Sequence, residues 1–277
     1  MAKIISVNAG SSSLKFQLFE MDDESVITSG VIERIGLEDS IFTIKYNGKK
    51  TVTTSPIKDH KVAVELLLDT LIEKGIVKDL DEIKGVGHRV VQGGSYFNSS
   101  AVINEDVVNK IDELKSLAPL HNPAHLTGYY AFKEAIPNAG AVAVFDTAFH
   151  QTLEPKCYIY PIPYKFYTDY KVRKYGAHGT SHYYVSQRCI EMLGNPEHSK
   201  IIVAHLGAGG SLSAVKDGKS VNTSMGFTPL AGIMMGTRSG DVDPSVIDYL
   251  IEEVGMDMKE VITMLNKESG LLGISGI

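Results

Sequence analysis

Short runs of alternating apolar and polar residues open the chain. Lys3–Asn8 (KIISVN) and Leu14–Glu20 (LKFQLFE) are rich in β-branched and aromatic residues and predict two strands, separated by the Gly/Ser run Ala9–Ser13. A polar turn at Met21–Glu24 leads into a third, SVITSGVI. Far downstream, Lys200–Leu206 (KIIVAHL) precedes Gly207–Ser211, then LSAV, an Asp217-Gly218 pair of the kind that closes tight hairpins, and KSVNTS. Strand, Gly/Ser loop, strand, turn, strand thus occurs twice, which predicts two related lobes that each begin with a meander.

Between these units the period changes to that of a helix. Lys61–Lys74 carries Val64, Leu67, Leu68, Leu71 and Ile72 on one face and stops at Gly75. Asn104 caps a helix with Glu105 and Asp106 in its first turn, and Asn122-Pro123 reads as a cap followed by proline at the first helical position. Gly140–Asp146 is a continuous apolar run ending in an acid, as in a buried strand that delivers Asp146 to an edge. Asp243-Pro244 and Asp257-x-x-Glu260 are two further helix starts, the second a capping-box variant. Strands alternating with helices make the fold α/β, and the proline-bearing stretch Glu154–Tyr170 is the expected boundary between domains, 1–150 and 151–277.

The 277 residues make about two domains at a rough average of 150 residues per domain. A formal charge of −6 argues against nucleic acid or an anionic membrane as the main partner. No apolar run approaches the roughly 18 residues of a membrane span, and MAKIISVNAG does not read as a secretory signal. Cys157 and Cys189 are too few for a disulfide framework, so a cytoplasmic location is expected.

Candidate chemistry concentrates in a few segments. Asn8-Ala9-Gly10-Ser11-Ser12-Ser13-Leu14-Lys15 offers turn amides, three hydroxyls and an ammonium to a compact anion; it lacks the GxxxxGK[ST] pattern, and a plain polar turn is the alternative. Gly207–Ser211 is a second glycine-rich turn that lets backbone approach a ligand. Arg89, in GHRVVQGG, and Arg238, in GTRSGD, are framed by glycines, and a guanidinium pair of this kind suits an anion clamp. The alternative for both arginines is a structural ion pair with Asp241 or Asp243. His178 and His182 are spaced like a metal pair without an HExxH pattern or a third ligand, and Thr180 or Ser181 reads as the cap of the next helix. His205, ending a strand before the second glycine loop, faces either a phosphate or the core. Asp146 is a magnesium- or substrate-orienting acid, or a cap.

Taken together, VNAGSSSLKF, GHRVVQGG, APLHNP, VFDTAFH, KYGAHGTSH, HLGAGGS and NTSMGFTPLAGIMMGTRSGDVDP resemble the acetokinase family, in the family's order and over essentially the whole chain. The resemblance implies duplicated actin-like (ribonuclease H-like) lobes, the second incomplete, and reversible transfer of a phosphoryl group between ATP and acetate, giving acetyl phosphate and ADP with Mg2+. It places Asn8 on the metal, Ser11, Ser13 and Lys15 on phosphate, and His205, Leu206, Gly207, Ala208 and Gly209 along the nucleotide phosphates. Arg89, Arg238, His178 and Asp146 are the implied catalytic set, with Arg89, Val91, Leu120, Ala177 and Pro229 around the acyl group. A homodimer in the cytoplasm is also implied.

Three departures from the family pattern bear on function. Ala177 stands where phenylalanine is usual, which predicts a wider acyl pocket, and Ala208 replaces the asparagine of HLGNG. The chain ends at Ile277, where the family continues into an adenosine-binding glycine motif and a magnesium-linked glutamate. Weak ATP binding by these 277 residues is therefore expected. A propionate or butyrate kinase, and a non-catalytic binding module, are the alternative readings.

Overall fold

The computed structural model describes residues 2–119 and 121–277, so Leu120, expected in the acyl pocket, lies outside the described residues. Two compact units divide at a sharp point, Met1–Phe145 and Asp146–Ile277.

The first unit is a mixed sheet with helices on it. Strands β1 (Lys3–Ala9), β2 (Ser13–Glu20) and β3 (Ser25–Glu33) form the expected antiparallel meander, extended by β4 (Ser40–Tyr46) and β5 (Lys49–Ser55). On the other side of β1 lie β6 (Ile83–Val90) and β8 (Gly140–Phe145), both parallel, with the short antiparallel β7 (Ala101–Val102) at the edge. The order across the sheet is β5-β4-β3-β2-β1-β6-β8-β7. Alternation along β1 and β2 sends Ile5, Val7, Leu14, Phe16 and Leu18 into the core, where Val64, Leu67 and Leu71 of α1 (His60–Glu73) and Phe132 of α3 (Asn122–Ala135) meet them. Each side chain so buried contributes about 1.5–3 kcal/mol. Asn104 accepts from the Val107 N–H and caps α2 (Glu105–Glu113), as its position predicts.

Asn122 departs from expectation. It is the first residue of α3 and not its cap; its buried amide donates to the carbonyls of Gln92 and Ile111 and accepts from the Gln92 N–H. Tying down the GHRVVQGG turn satisfies more buried backbone groups than a helix cap would.

The second unit carries the smaller repeat of the meander: β9 (Lys200–Leu206), β10 (Gly210–Lys216) and β11 (Lys219–Thr223), all antiparallel. Asp217 and Gly218 both have positive φ and close the β10–β11 hairpin as their sequence predicts. Around this sheet run α4 (Pro155–Tyr158), α5 (Lys165–Tyr170), α6 (Gly179–Met192), α7 (Pro244–Glu252), α8 (Met258–Lys267) and α9 (Gly270–Ser275). Asp243 caps α7, and Asp257 with Glu260 forms a full capping box on α8. No helix among the described residues is long and apolar enough to cross a membrane.

Two consequences are measurable. A Cβ on Gly30 of β3 would press on the Thr43 carbonyl of β4 and stand 2.7 Å from the Phe16 ring, both part of the packed sheet. Gly30→Ala is expected to lower unfolding free energy by about 1–3 kcal/mol, read from the urea midpoint at constant m-value; an unchanged midpoint would contradict this packing. The second concerns His88, His150 and His182, all buried. Burial holds the first two at a pKa of about 4 and the third at about 3, against an ordinary 6.5. Below pH 6.5 the unfolded chain takes up protons that the folded chain refuses, so stability present at neutral pH is lost on acidification toward pH 4. The slope reaches about 1.4 kcal/mol per pH unit for each histidine. Denaturation midpoints should fall between pH 7 and pH 5; a flat profile would show that these imidazoles are hydrated.

Candidate functional site

In the first unit the meander gathers the polar residues on the face away from α1 and α3. Asn8 and Lys15 are cross-strand partners, and Ser6 and Gln17 pair one step behind them on the same face. Val7 pairs with His88 of β6, and His88 is packed edge-on against Tyr129 and Phe132 of α3. Strand alternation therefore brings Arg89 out on the face that carries Asn8 and Lys15. This face forms a groove of about 410 Å3 that includes Asn8, Lys15, Gln17 and Lys45. Lys15 is exposed with no carboxylate in ion-pair range among the described residues. Val91, at the end of the same segment, is buried.

The Gly/Ser hairpin is held from below by two histidines that the sequence did not single out. His60 Nε2 lies 2.7 Å from the Gly10 carbonyl and His125 Nδ1 lies 2.8 Å from that of Ala9, so each ring donates to backbone. The Gly10 N–H bonds the Ser13 carbonyl at 2.7 Å, which leaves Ser11 exposed at the tip and Ser13 half-buried. Both histidines sit on helices far away in sequence, so no local signal marks them.

In the second unit Asp146 is buried at the end of β8, and its carbonyl accepts from the Gly179 N–H at 2.8 Å. A Cβ at Gly179 would overlap that carbonyl, so only glycine allows the close approach. The cap of α6 is then His178, in the left-handed conformation at φ 58°, and not Thr180 or Ser181. Ser181 instead hydrogen-bonds His205 Nδ1 at 2.8 Å. His178 and His205 stack with ring centroids 4.1 Å apart. His178 Nδ1 and His182 Nε2 lie 2.8 Å and 2.7 Å from the same Ser211 hydroxyl.

Two glycine motifs adjoin this cluster. The Gly236 N–H bonds the Ala208 carbonyl, tying HLGAGG to GTRSGD. A Cβ placed on Gly209 would be 3.4 Å from Arg238 Nη1 and 3.6 Å from His178 Nε2, so guanidinium, imidazole and glycine loop converge. Leu206, Gly207 and Ala208 are exposed beside them. Arg238 Nη1 donates to the Pro229 carbonyl at 3.1 Å. The suggested ion pair is absent: Asp241 accepts from the Gly232 N–H, Asp243 caps α7, and no carboxylate pairs with Arg238 among the described residues. Burial alone draws the Arg238 pKa down. A half-buried guanidinium without a counter-ion is costly unless it serves an incoming anion. Ala177, buried beside His178, packs with Met225 and Met235.

Among the described residues no group of three His, Cys, Asp or Glu gathers that could hold a metal by itself. In the first unit the hard oxygen donors on the open sheet face are the Asn8 amide and the hydroxyls of the Gly/Ser hairpin. Such sparse, hard donors fit Mg2+, which keeps several waters and is commonly shared with substrate phosphates.

Residues 3–277 match the model of the acetokinase family. Over its whole length the chain is 58% identical to an acetate kinase of Geobacillus kaustophilus (strain HTA426) and 56% identical to one of Bacillus subtilis (strain 168), covering 70% of each. The crystal structure of Porphyromonas gingivalis acetate kinase superposes with a TM-score of 0.95 at 44% identity, and that of a propionate kinase from Francisella tularensis subsp. tularensis SCHU S4 with 0.94 at 45%. All of this chain is covered in both, with 70% and 71% of theirs. The fold is thus the actin-like α/β architecture that the resemblance to the family implied. By sequence over its full extent and by architecture, this chain belongs to the acetokinase family.

Proposed function

We propose that this chain serves reversible phosphoryl transfer between ATP and acetate. In the forward direction a carboxylate oxygen attacks the γ-phosphorus, the bond to the β,γ-bridging oxygen breaks, and ADP leaves with that electron pair. Acetate is already an anion, so no proton has to be removed, and the protein's task is to place two negative groups in line and offset their repulsion. The convergence of Arg238, His178 and Gly209 carries this assignment, because a guanidinium without a carboxylate beside an imidazole and a glycine turn is an arrangement for a multivalent oxyanion.

Each residue has a part in the proposed reaction. Arg89 takes the acetate carboxylate, and Arg238 and His178 bind the oxygens of the transferred group as charge builds there. Ser11, Ser13 and Lys15 hold phosphate, and His205 with the loop from Leu206 to Gly209 lines the nucleotide phosphates. Asp146 orients the carboxylate or the metal. Mg2+, held through Asn8 when bound, offsets phosphate charge. Val91, Leu120, Ala177 and Pro229 wall the acyl methyl.

Propionate is the second acceptor to consider, on the strength of Ala177. Its small side chain lies against Met225 and Met235, two flexible residues that can yield to an extra methylene.

Arg238→Ala is expected to lower kcat for acetyl phosphate formation by about 10²–10³-fold with the fold intact, as judged by hydroxamate trapping and circular dichroism. Activity within threefold of the parent would remove Arg238 from the transfer step. Ala177→Phe should depress kcat/KM for propionate more than for acetate; an equal effect on both acids would mean that this position does not gauge chain length.

A further inference from the structure

Ser211 lies opposite His205 across the β9–β10 ladder, on the side that faces α6. It is fully buried, and its single hydroxyl meets two imidazoles, His178 Nδ1 at 2.8 Å and His182 Nε2 at 2.7 Å. A hydroxyl has one proton, so it can donate to only one of the two rings. His182 decides which. Its ring is fully buried, edge-on to His150 and His205, and its other nitrogen, Nδ1, meets no hydrogen-bond acceptor. A proton on that Nδ1 would leave a buried N–H donor unmade, which is rarer and costlier in proteins than an idle acceptor lone pair. His182 is therefore protonated on Nε2, and that N–H donates to Ser211. The serine oxygen has lone pairs for both rings, but if both donated to it the buried serine proton would itself lack an acceptor, and the only other ring nitrogen within reach is His178 Nδ1; the proton therefore goes there and that nitrogen is the unprotonated one.

We propose that Ser211, oriented by His182, is a positioning residue that fixes His178 as the neutral tautomer with its proton on Nε2, the nitrogen on the side of Gly209 and Arg238. Together with the carbonyl–amide bond that seats Gly179 on Asp146, the serine hydroxyl sets both the place and the donor character of this imidazole. The stacked His205 is held in the same manner by Ser181. The inference deepens the kinase assignment and rests on it only for its effect on rate; the tautomer itself is a property of the folded chain.

The test is nitrogen NMR of the full chain labelled with 15N-histidine at neutral pH, with the His178 signals assigned by their loss in His178→Asn. His178 Nδ1 should give a pyridine-type signal and Nε2 a pyrrole-type one. Ser211→Ala should convert this into a mixture of tautomers and lower kcat about tenfold to a hundredfold, the range seen when the partner orienting a functional imidazole is removed. The KM for acetate and for ATP should stay within twofold, and Ser211→Thr, which keeps the hydroxyl, should restore both the tautomer and the rate. A protonated His178 Nδ1 in the parent protein overturns the proposal whether or not the variants fold, as does a Ser211→Ala variant with unchanged tautomer and kcat. A tautomer that follows the hydroxyl while acetyl phosphate formation is unmoved would support the relay and detach it from the proposed transfer step instead.

Discussion

The second unit is organised around one close backbone approach. The N–H of Gly179 meets the carbonyl of Asp146 with no room for a side chain between them. That contact ties the backbone of Asp146 to the first turn of α6, where His178 takes the left-handed conformation at the cap with its ring on the Ser211 side of the helix end. Strain at one non-glycine residue is tolerated here because the segment before it is held by the bonds of the Tyr175 and Gly176 N–H groups to the Gly226 carbonyl and the helix after it by its own hydrogen bonds. Asp146, His178, Gly209 and Arg238 are brought together as consequences of this junction and of the Gly236–Ala208 bond.

The second unit carries a connected network of buried and half-buried polar side chains. Four histidines and the serines 181, 211 and 220 share hydrogen bonds over a few ångströms. In a medium of low dielectric each satisfied pair is stronger than in water and each misplaced proton more costly. The network is therefore stiff in tautomer as well as in geometry. Arg238 stands at its margin, half-buried and with no carboxylate paired to it among the described residues, and a bound oxyanion would supply that opposite charge. The first unit achieves a similar end by different means. There the donors stand on the open face of a sheet, and His60 and His125 stabilise the hairpin by donating to its carbonyls while the Ser11 hydroxyl stays exposed at the tip.

Much of this was legible along the chain. The strands β1, β2, β3, β9, β10 and β11 follow from alternation and from the residues that close their turns, and the caps at Asn104, Asp243 and Asp257 follow from side chains that bond amides two or three residues away. Family motifs named the residues of the candidate site. These signals are local: they depend on neighbours within one turn or one hairpin, where chain entropy leaves few alternatives.

Other features depend on partners distant in sequence. Asn122 looks like a cap and is instead a clamp on Gln92, thirty residues back. Ser181 reads as a cap and is instead the partner of His205. Nothing near Ser211 marks it as the hydroxyl between two imidazoles, because the choice between capping a helix and satisfying a buried ring is made by whichever polar atom packing brings within 3 Å. The sequence by itself determined the elements, their order and the chemical types on offer. Only the tertiary structure decided which donor faces which acceptor, because a buried hydrogen bond is selected by burial and distance, and both are properties of the folded chain.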